Sequence, residues 1–375
     1  MKKETKMKII FYEIQGWEVP MLKKKLNKHN LTFYQEPLTE SNISTAKNAD
    51  AISIFIYSTL TSHVLTHLPK LKIIATRSTG YDHIDIQACK KRKICVTNVP
   101  SYGENTVAEH TFALILTLSR NIHKSYLRTL RNDFTIEGLK GFDLMGKTLG
   151  VIGVGKIGKH VIRIASGFGM NVLAVDPHPD KAFAKELNFK YVTFNESLKK
   201  SDILTLHIPY TKENHHLINK KTLSIMKKGS ILINTSRGLL VDNNALIEAL
   251  DKKILVGLGI DVIEGEELIK EEKQLLYDSH KTKKLAELIK DHILIAKDNV
   301  VFTPHIAFYS QEALERIIEK TIENLLAYPK GKVGQECIVS GELFGRFQDW
   351  KSKKSAQQLK NEMKKGWESK SDKIR

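Results

Sequence analysis

The stretch from Thr148 to Asp176 restricts the possible folds more than any other part of this 375-residue chain. An apolar run leads into the sequence GVGKIG at 153–158, a segment with helical periodicity follows, and a second apolar run ends at Asp176. A strand, a glycine-rich turn, a helix and a second strand in this order predict a βαβ unit that can bind a dinucleotide. The chain should therefore contain a parallel sheet.

The glycines of this turn have three separate predicted roles. Gly153 would make the tight turn, Gly155 would let the backbone approach a pyrophosphate, and Gly158 would let helix and strand pack closely. Free N–H groups and the helix dipole favour an anion at that helix N-terminus. Asp176, 18 positions after the last glycine, would accept hydrogen bonds from the adenosine ribose and repel a 2′-phosphate, which favours NAD over NADP. The alternative is a glycine-rich turn without a ligand.

The length suggests two domains, each large enough to bury a core. The apolar run at 9–12 is too short for a signal peptide, and no segment approaches the ~20 apolar residues of a membrane span. Cys89, Cys95 and Cys337 have no paired spacing, so neither a disulfide framework nor a zinc site is expected. These features predict a cytoplasmic protein with no membrane partner.

The net charge of +17 raises the question of nucleic-acid binding. Residues 1–30 and 346–375 together carry eleven of these charges, and neither end shows aromatic residues interleaved with basic ones in a known motif, or zinc-finger spacing. We interpret the charge as a lysine-rich solvated surface and expect no nucleic-acid partner.

Strand-like runs alternate with helical segments on both sides of the glycine-rich unit, which predicts parallel sheets with helices on both faces. Residues 104–128 have the pattern of one long helix, which we interpret as a hinge between two domains. Residues 267–297 are a polar insertion that we expect on the surface. The segment 336–375 is predicted to be a basic tail.

Six motifs, in the right order and spread over most of residues 8–330, resemble the D-isomer-specific 2-hydroxyacid dehydrogenases. They are STGYDHID at 78–85, VPSYGENTVAEH at 99–110, GVGKIG at 153–158, NTSRG at 234–238, DVIEGE at 261–266 and FTPHIAFYS at 302–310. Within the family, the last motif, Tyr102 and the insertion before His305 are most similar to D-lactate dehydrogenases.

The resemblance implies an α/β fold of two doubly wound parallel-sheet domains, with a Rossmann NAD-binding domain inserted in a flavodoxin-like substrate domain. The substrate domain would comprise 1–103 and 304–335, and the NAD-binding domain 104–303. Domain closure would place catalysis in the cleft between them. The family also implies a homodimer formed through the cofactor domain.

The resemblance assigns catalytic roles to three residues. Arg237 would pair with the substrate carboxylate, and His305 would protonate the oxo oxygen. Glu266 would orient His305; its choice over Glu264 and Glu267 rests on the family pattern. Taken singly, each could instead be structural: a surface cation, a core histidine and one acid among several.

The resemblance also implies binding residues. In the first domain Thr79 and Gly80 would meet the substrate carboxylate through backbone N–H groups, and Tyr102 would narrow the pocket, with ordinary packing as its alternative. Further cofactor contacts would be Lys156, Ile157, Ile208, Pro209, Asn214, Thr235, Ser236 and Asp261. His207, His215 and His216 suggest a metal, but no carboxylate or thiol accompanies them at ligand spacing, so no metal site is expected.

These observations favour an NAD-dependent enzyme that interconverts a small 2-oxoacid and a 2-hydroxyacid, with pyruvate and D-lactate as the expected pair. One alternative is a larger substrate, such as 2-oxoisocaproate, hydroxypyruvate or phosphoglycerate. A phosphorylated substrate would need a further cation near Thr79 or Tyr102, and Arg77 is the obvious candidate. The other alternative is an NAD(H)-sensing scaffold similar to the carboxy-terminal-binding-protein corepressors.

Overall fold

The computed structural model describes residues 6–265, 289, 291–330 and 337–338. It divides into two compact units, one formed by 6–102 with 310–330 and 337–338, the other by the described residues from 103 to 309. Most of the predicted insertion at 267–297 and nearly all of the tail at 336–375 lie outside the described residues. Within those residues, no helix is long and apolar enough to cross a bilayer.

The first unit is built on a five-stranded parallel sheet. Its strands are β1 (Lys8–Phe11), β2 (Asn30–Phe33), β3 (Ala51–Ile54), β4 (Ile73–Thr76) and β5 (Cys95–Thr97). Their order, β2-β1-β3-β4-β5, is that of a doubly wound flavodoxin-like sheet. β3 and β4 are buried along their whole length, which explains why their sequences, AISI and IIAT, are mostly apolar and do not alternate with charged residues.

Helices cover this sheet. They are α1 (Glu18–Lys25), α2 (Ser62–Thr66), α3 (Ile86–Lys91) and, from the end of the chain, the helix Gln311–Ala327. The last of these carries Ile318, Ile322 and Leu325 into the same apolar cluster as Ile9 and Phe11 of β1. The helix Gln311–Ala327 therefore contributes to the core of the unit that contains β1.

The second unit is built on a seven-stranded parallel sheet. Its strands are β6 (Thr148–Ile152), β7 (Asn171–Val175), β8 (Lys190–Tyr191), β9 (Ile203–Leu206), β10 (Ser230–Asn234), β11 (Leu255–Ile260) and β12 (Val300–Phe302). Their order is β12-β11-β10-β9-β6-β7-β8. The six strands β6 to β11 have the Rossmann order, to which β12 adds a seventh. The predicted class, two doubly wound parallel sheets, is confirmed.

The prediction of one continuous helix at 104–128 is wrong, because the structure has two helices there. The stretch forms α4 (Glu104–Ser119) and α5 (Ile122–Thr129), and the chain between them passes through Asn121 at φ +50°. This left-handed conformation ends a helix, and asparagine adopts it more readily than most residues. α4 buries Phe112, Leu114 and Ile115, whereas α5 buries no residue.

The other helices of this unit follow the sheet strand by strand. They are α6 (Lys156–Gly167), α7 (Lys181–Glu186), α8 (Phe194–Lys200), α9 (Lys220–Ser224) and α10 (Asn243–Asp251). Because all the strands are parallel, their carboxyl ends meet at one edge of the sheet, where ligands bind in open α/β folds. The loops that follow β6, β9, β10, β11 and β12 at this edge carry most of the predicted site residues.

Candidate active site

The glycine-rich turn after β6 has the geometry of a diphosphate cradle. Gly153 has φ +96°, and a Cβ there would lie 2.5 Å from the His207 carbonyl oxygen. A Cβ on Gly158 would lie 2.0 Å from the Gly153 carbonyl oxygen, so α6 packs directly on the turn. Gly155 is the exposed N-cap of α6, and a Cβ there would meet nothing within 4 Å. This open helix N-terminus fits the phosphates of a dinucleotide.

Asp176 lies at the end of β7 beside this cradle. Its Oδ2 accepts a hydrogen bond from the Val154 N–H at 2.7 Å, and its Oδ1 accepts one from the His178 N–H at 2.8 Å. Each carboxylate oxygen can accept a further bond, and Asp176 is only partly buried. The carboxylate therefore both braces the glycine-rich turn and fits the ribose hydroxyls of a dinucleotide.

Substitution of two of these glycines should separate folding from binding. Gly158→Ala is expected to lower the free energy of unfolding by about 1–3 kcal/mol, because the methyl group forces α6 away from the turn. Gly155→Ala is its matched control: stability should stay within about 0.5 kcal/mol, while NADH binding weakens because the methyl group occupies the approach to the helix N-terminus. Urea unfolding and NADH fluorescence titration measure the two effects. Wild-type stability of Gly158→Ala would contradict the packing role.

Several predicted cofactor contacts already have partners within the chain. Asn214 accepts from the Thr211 N–H at 2.7 Å and donates to the Pro209 carbonyl at 2.8 Å, so its side chain stabilises its own turn. The Ser236 hydroxyl donates to the Leu206 carbonyl at 2.7 Å, which ties the loop after β10 to β9.

The remaining predicted contacts surround the same edge. Thr235 is hydrogen-bonded through its hydroxyl to that of Thr111 at 3.1 Å. Lys156 Nζ lies 3.3 Å from Glu104 Oε1. Ile157 starts α6 with Lys156, and Ile208 is buried where the chain leaves β9.

Arg237 lies in the loop after β10, with an exposed side chain. The Asn234 side chain donates to the Arg237 carbonyl at 2.9 Å and fixes the loop, and Arg237 Nη1 donates to the Ser236 carbonyl at 2.7 Å. A guanidinium has five N–H donors, so this bond leaves room for bidentate pairing with a carboxylate. A Cβ on Gly238 would lie 2.2 Å from the Ile263 carbonyl carbon, so this loop abuts the chain after β11.

His305 lies in the turn after β12, and Asp261 holds that turn in place. The His305 N–H donates to the Asp261 carbonyl at 2.8 Å. The Asp261 carboxylate, 1% exposed, accepts from the Thr303 hydroxyl at 2.5 Å and from the N–H groups of Ile306 and Ala307, both at 2.9 Å. His305 has φ +57°, an uncommon conformation outside glycine. Asp261, predicted as a cofactor contact, is thus fully surrounded by donors of its own chain.

His110 of α4 joins this network and was missed from the sequence. Its Nε2 lies 2.9 Å from the Thr303 hydroxyl and 3.6 Å from Asp261 Oδ1. Since the one proton of the Thr303 hydroxyl goes to the carboxylate, His110 must donate through Nε2–H. Burial lowers the pKa of His110, against the opposing influence of the Asp261 charge. In the sequence, His110 is marked only by its position at the end of the motif VPSYGENTVAEH. Its partners Thr303 and Asp261 become visible only in the fold.

The third predicted catalytic residue, Glu266, lies outside the described residues, so its role stays a prediction. Its neighbour Glu264 is described, and Glu264 Oε2 accepts from His216 Nε2 at 2.8 Å. Glu264 is therefore paired with His216. This pairing is consistent with the prediction that Glu266, and not Glu264, orients His305.

The three histidines considered as metal ligands lie in different environments. Burial lowers the pKa of His207 to about 3, and its Nε2 is 2.9 Å from the Thr205 hydroxyl, so it is a neutral, partly buried residue. His215, His216 and Glu264 bring one potential ligand atom each within 4.8 Å of one another. The sequence argument that no carboxylate accompanies these histidines fails here, because the fold supplies one from 48 residues away.

The predicted substrate contacts Thr79, Gly80 and Tyr102 belong to the first unit. The Thr79 hydroxyl donates to the Val99 carbonyl at 2.8 Å, and the Ser78 hydroxyl donates to the Gly80 carbonyl at 2.6 Å. The Tyr102 carbonyl accepts from Arg316 Nε at 2.6 Å. These bonds fix the backbone of the predicted substrate-binding segments, and the substrate contacts themselves stay predictions.

This chain is similar to known proteins over most of its length. A family model described as the NAD binding domain of D-isomer specific 2-hydroxyacid dehydrogenases matches residues 112–307. The D-lactate dehydrogenase of Escherichia coli is 40% identical over 337 residues, covering 87% of this chain and 98% of that protein. The glyoxylate reductase of Thermococcus litoralis is 35% identical over 335 residues, covering 88% and 91%.

A solved structure is similar to this chain at about the same sequence identity. The D-lactate dehydrogenase of Aquifex aeolicus, complexed with NAD and lactic acid, is 40% identical with a TM-score of 0.76, covering 87% of this chain and 97% of that one. The predicted family and cofactor are therefore confirmed. The chain belongs to the D-isomer-specific 2-hydroxyacid dehydrogenases, NAD-dependent oxidoreductases that act on a CH–OH group.

Proposed function

We propose that this protein interconverts pyruvate and D-lactate with NADH and NAD as hydride donor and acceptor. The observation that carries the proposal is the placement of Arg237 and His305 on two loops of one sheet edge. These loops follow β10 and β12, the neighbours of β11, and Asp261 at the end of β11 fixes the His305 turn. A carboxylate-binding cation and a proton donor are what reduction of a 2-oxoacid requires.

Residues of the second unit would have different roles in the reaction. The glycine-rich turn and Asp176 would hold the dinucleotide, and the chemistry that the nicotinamide supplies when bound is hydride transfer. Arg237 pairs with the substrate carboxylate and so orients the adjacent carbonyl group. His305 gives a proton to the oxo oxygen in reduction and takes it back in oxidation, since an imidazole ring can both donate and accept a proton. Glu266 would hold the charged imidazole in place.

The structure of the first unit weighs against a phosphorylated substrate. Arg77 is 2% exposed, and its guanidinium donates to the carbonyls of Tyr12 and Glu13 at 2.8 Å and to the Ser53 hydroxyl at 3.1 Å. Its Nε also lies 3.8 Å from Glu18 Oε1. Arg77 thus serves the core of its own unit and is a poor phosphate ligand.

The test is NADH oxidation by the purified protein with pyruvate, 2-oxoisocaproate, hydroxypyruvate and glyoxylate in parallel, followed by chiral analysis of the product. We expect the highest kcat/KM with pyruvate and only D-lactate as product. A higher kcat/KM with another 2-oxoacid would move the proposal to that substrate. L-lactate as product would contradict the assignment to D-lactate.

We also propose a homodimer formed through the second unit. α5 and the residues after it expose large apolar side chains: Tyr126 62%, Leu130 63%, Phe134 76% and Ile136 86%. Monomers rarely expose so many apolar residues together, and a second copy can cover such a patch by two-fold symmetry.

Analytical ultracentrifugation tests the homodimer. We expect the wild-type protein to sediment as a particle of about twice 42.6 kDa, and the Leu130→Glu variant to sediment as a monomer. Tyr57→Glu, at an exposed aromatic residue of the other unit, is the control; an unchanged mass for Leu130→Glu would contradict the interface.

A cytoplasmic location is the last part of the proposal. The thiols of Cys89 and Cys95 are buried and form no disulfide, which suits a reducing compartment. Burial raises the pKa of the Cys89 thiol to about 12, so this thiol is unreactive at neutral pH.

A further inference from the structure

A histidine-rich cluster lies outside the residues used by the proposed mechanism. His215 and His216 follow the short 3-10 turn Lys212–Asn214 that comes after β9, and Glu264 follows β11. One ligand atom from each lies within 4.8 Å of the others. Within the described part of the chain, this is the one group of three or more histidine, cysteine and acidic side chains that meets this spacing.

We propose that His215, His216 and Glu264 bind one Zn²⁺ ion. Two imidazoles and one carboxylate suit zinc and neighbouring divalent transition metals, whereas Mg²⁺ and Ca²⁺ prefer oxygen ligands and Cu(I) prefers sulfur. Three protein ligands leave a fourth position for water. The proposal rests on these side chains alone and does not depend on the dehydrogenase activity.

Binding of zinc would require movements of these ligands. Tetrahedral ligands about 2.1 Å from the metal are roughly 3.4 Å from one another. His216 Nε2 and Glu264 Oε2, now hydrogen-bonded at 2.8 Å, must separate by about 0.6 Å. The His215 and His216 rings stack with centroids 3.8 Å apart, so His215 must rotate to direct a nitrogen at the same point. Its side chain is exposed, and the rotation exchanges its stacking on His216 and its 3.5 Å contact with the Tyr210 hydroxyl for the metal bond.

The backbone around two of the ligands is already fixed. The His216 N–H donates to the Leu239 carbonyl at 3.0 Å. The Asn243 side chain donates to the Glu264 carbonyl at 3.3 Å and to Asp291 Oδ1 at 2.7 Å. Ligands held by such surrounding contacts lose little freedom when a metal binds. Zn²⁺ would then bridge the loop after β9 and the loop after β11.

The test is a Zn²⁺ titration of the full-length, chelator-treated protein in competition with a chromophoric chelator. We expect one competing site per chain in the wild type. His216→Ala and Glu264→Gln should each weaken binding by at least about tenfold. His215→Ala, at an exposed position where folding is not at risk, should do the same. Co²⁺ in place of Zn²⁺ should give the visible absorption of a four-coordinate site, absent from the three variants.

The matched control is the double variant His63→Ala/His67→Ala. These exposed histidines of α2 and its C-cap have ring centroids 4.6 Å apart but are not part of a three-ligand group, so the double variant should bind Zn²⁺ like the wild type. Binding that is lost in this control, or unchanged in His215→Ala, would overturn the proposal, as would the absence of stoichiometric binding to the wild type. Because bound metal is the readout, failure here is distinct from failure of the pyruvate assignment.

Discussion

Replacement of His305 by alanine is expected to lower kcat for pyruvate reduction by about 10²–10⁴-fold, the usual contribution of a positioned acid or base. The side chain lies in the turn after β12, whereas the glycine-rich turn and Asp176 follow β6 and β7. NADH affinity should therefore stay near the wild-type value. Steady-state kinetics gives kcat, and fluorescence titration gives the NADH dissociation constant.

A matched control for this variant is His178→Ala. His178 is exposed, and only its backbone N–H is used, by Asp176, so kcat should be unchanged. Activity of His305→Ala within tenfold of the wild type would show that the proton comes from another group. A parallel loss of NADH binding would show instead that the variant has disturbed the cofactor site.

The fold could be predicted from the sequence where burial of an element gives it a local hydrophobic pattern. β9 is buried throughout, and the largely apolar sequence ILTLHI at 203–208 predicts a strand whose end lies two residues from the observed one. The short helices α2 and α3 have only five and six residues, too few for a helical pattern to be read from the sequence. The break at Asn121 depends on one backbone conformation, which the apolar pattern of 104–128 does not record.

In the candidate site, too, local features could be predicted from the sequence and long-range contacts could not. The turn at Gly153 and the packing of Gly158 on the Gly153 carbonyl are local to one βαβ unit, whereas the close approach of Gly153 to His207 depends on the neighbouring strand β9. The environment of Arg77 and the meeting of His216 with Glu264 depend on residues 48 to 65 positions away. Such contacts follow from strand order, which the spacing of residues in a sequence does not give.

The second large effect is expected for Asp261→Asn. The buried carboxylate accepts three hydrogen bonds, from Thr303, Ile306 and Ala307. An asparagine amide nitrogen cannot accept a hydrogen bond, so at least one donor is left unpaired. Loss of a hydrogen bond to a charged group costs about 1.5–3 kcal/mol, and we expect a fall of that size in the free energy of unfolding. Because the same turn presents His305, kcat should also fall, by at least about tenfold.

Thr303→Val provides the control for Asp261→Asn, since it removes one donor and keeps the two backbone bonds to the carboxylate. Its losses of stability and of kcat should be smaller than those of Asp261→Asn. The NADH dissociation constant separates the two roles considered for Asp261. If the carboxylate mainly positions the His305 turn, unfolding energy and kcat fall together while NADH affinity changes little. If its main role is the cofactor contact expected from the sequence, NADH affinity falls and stability is retained, and the positioning role is wrong.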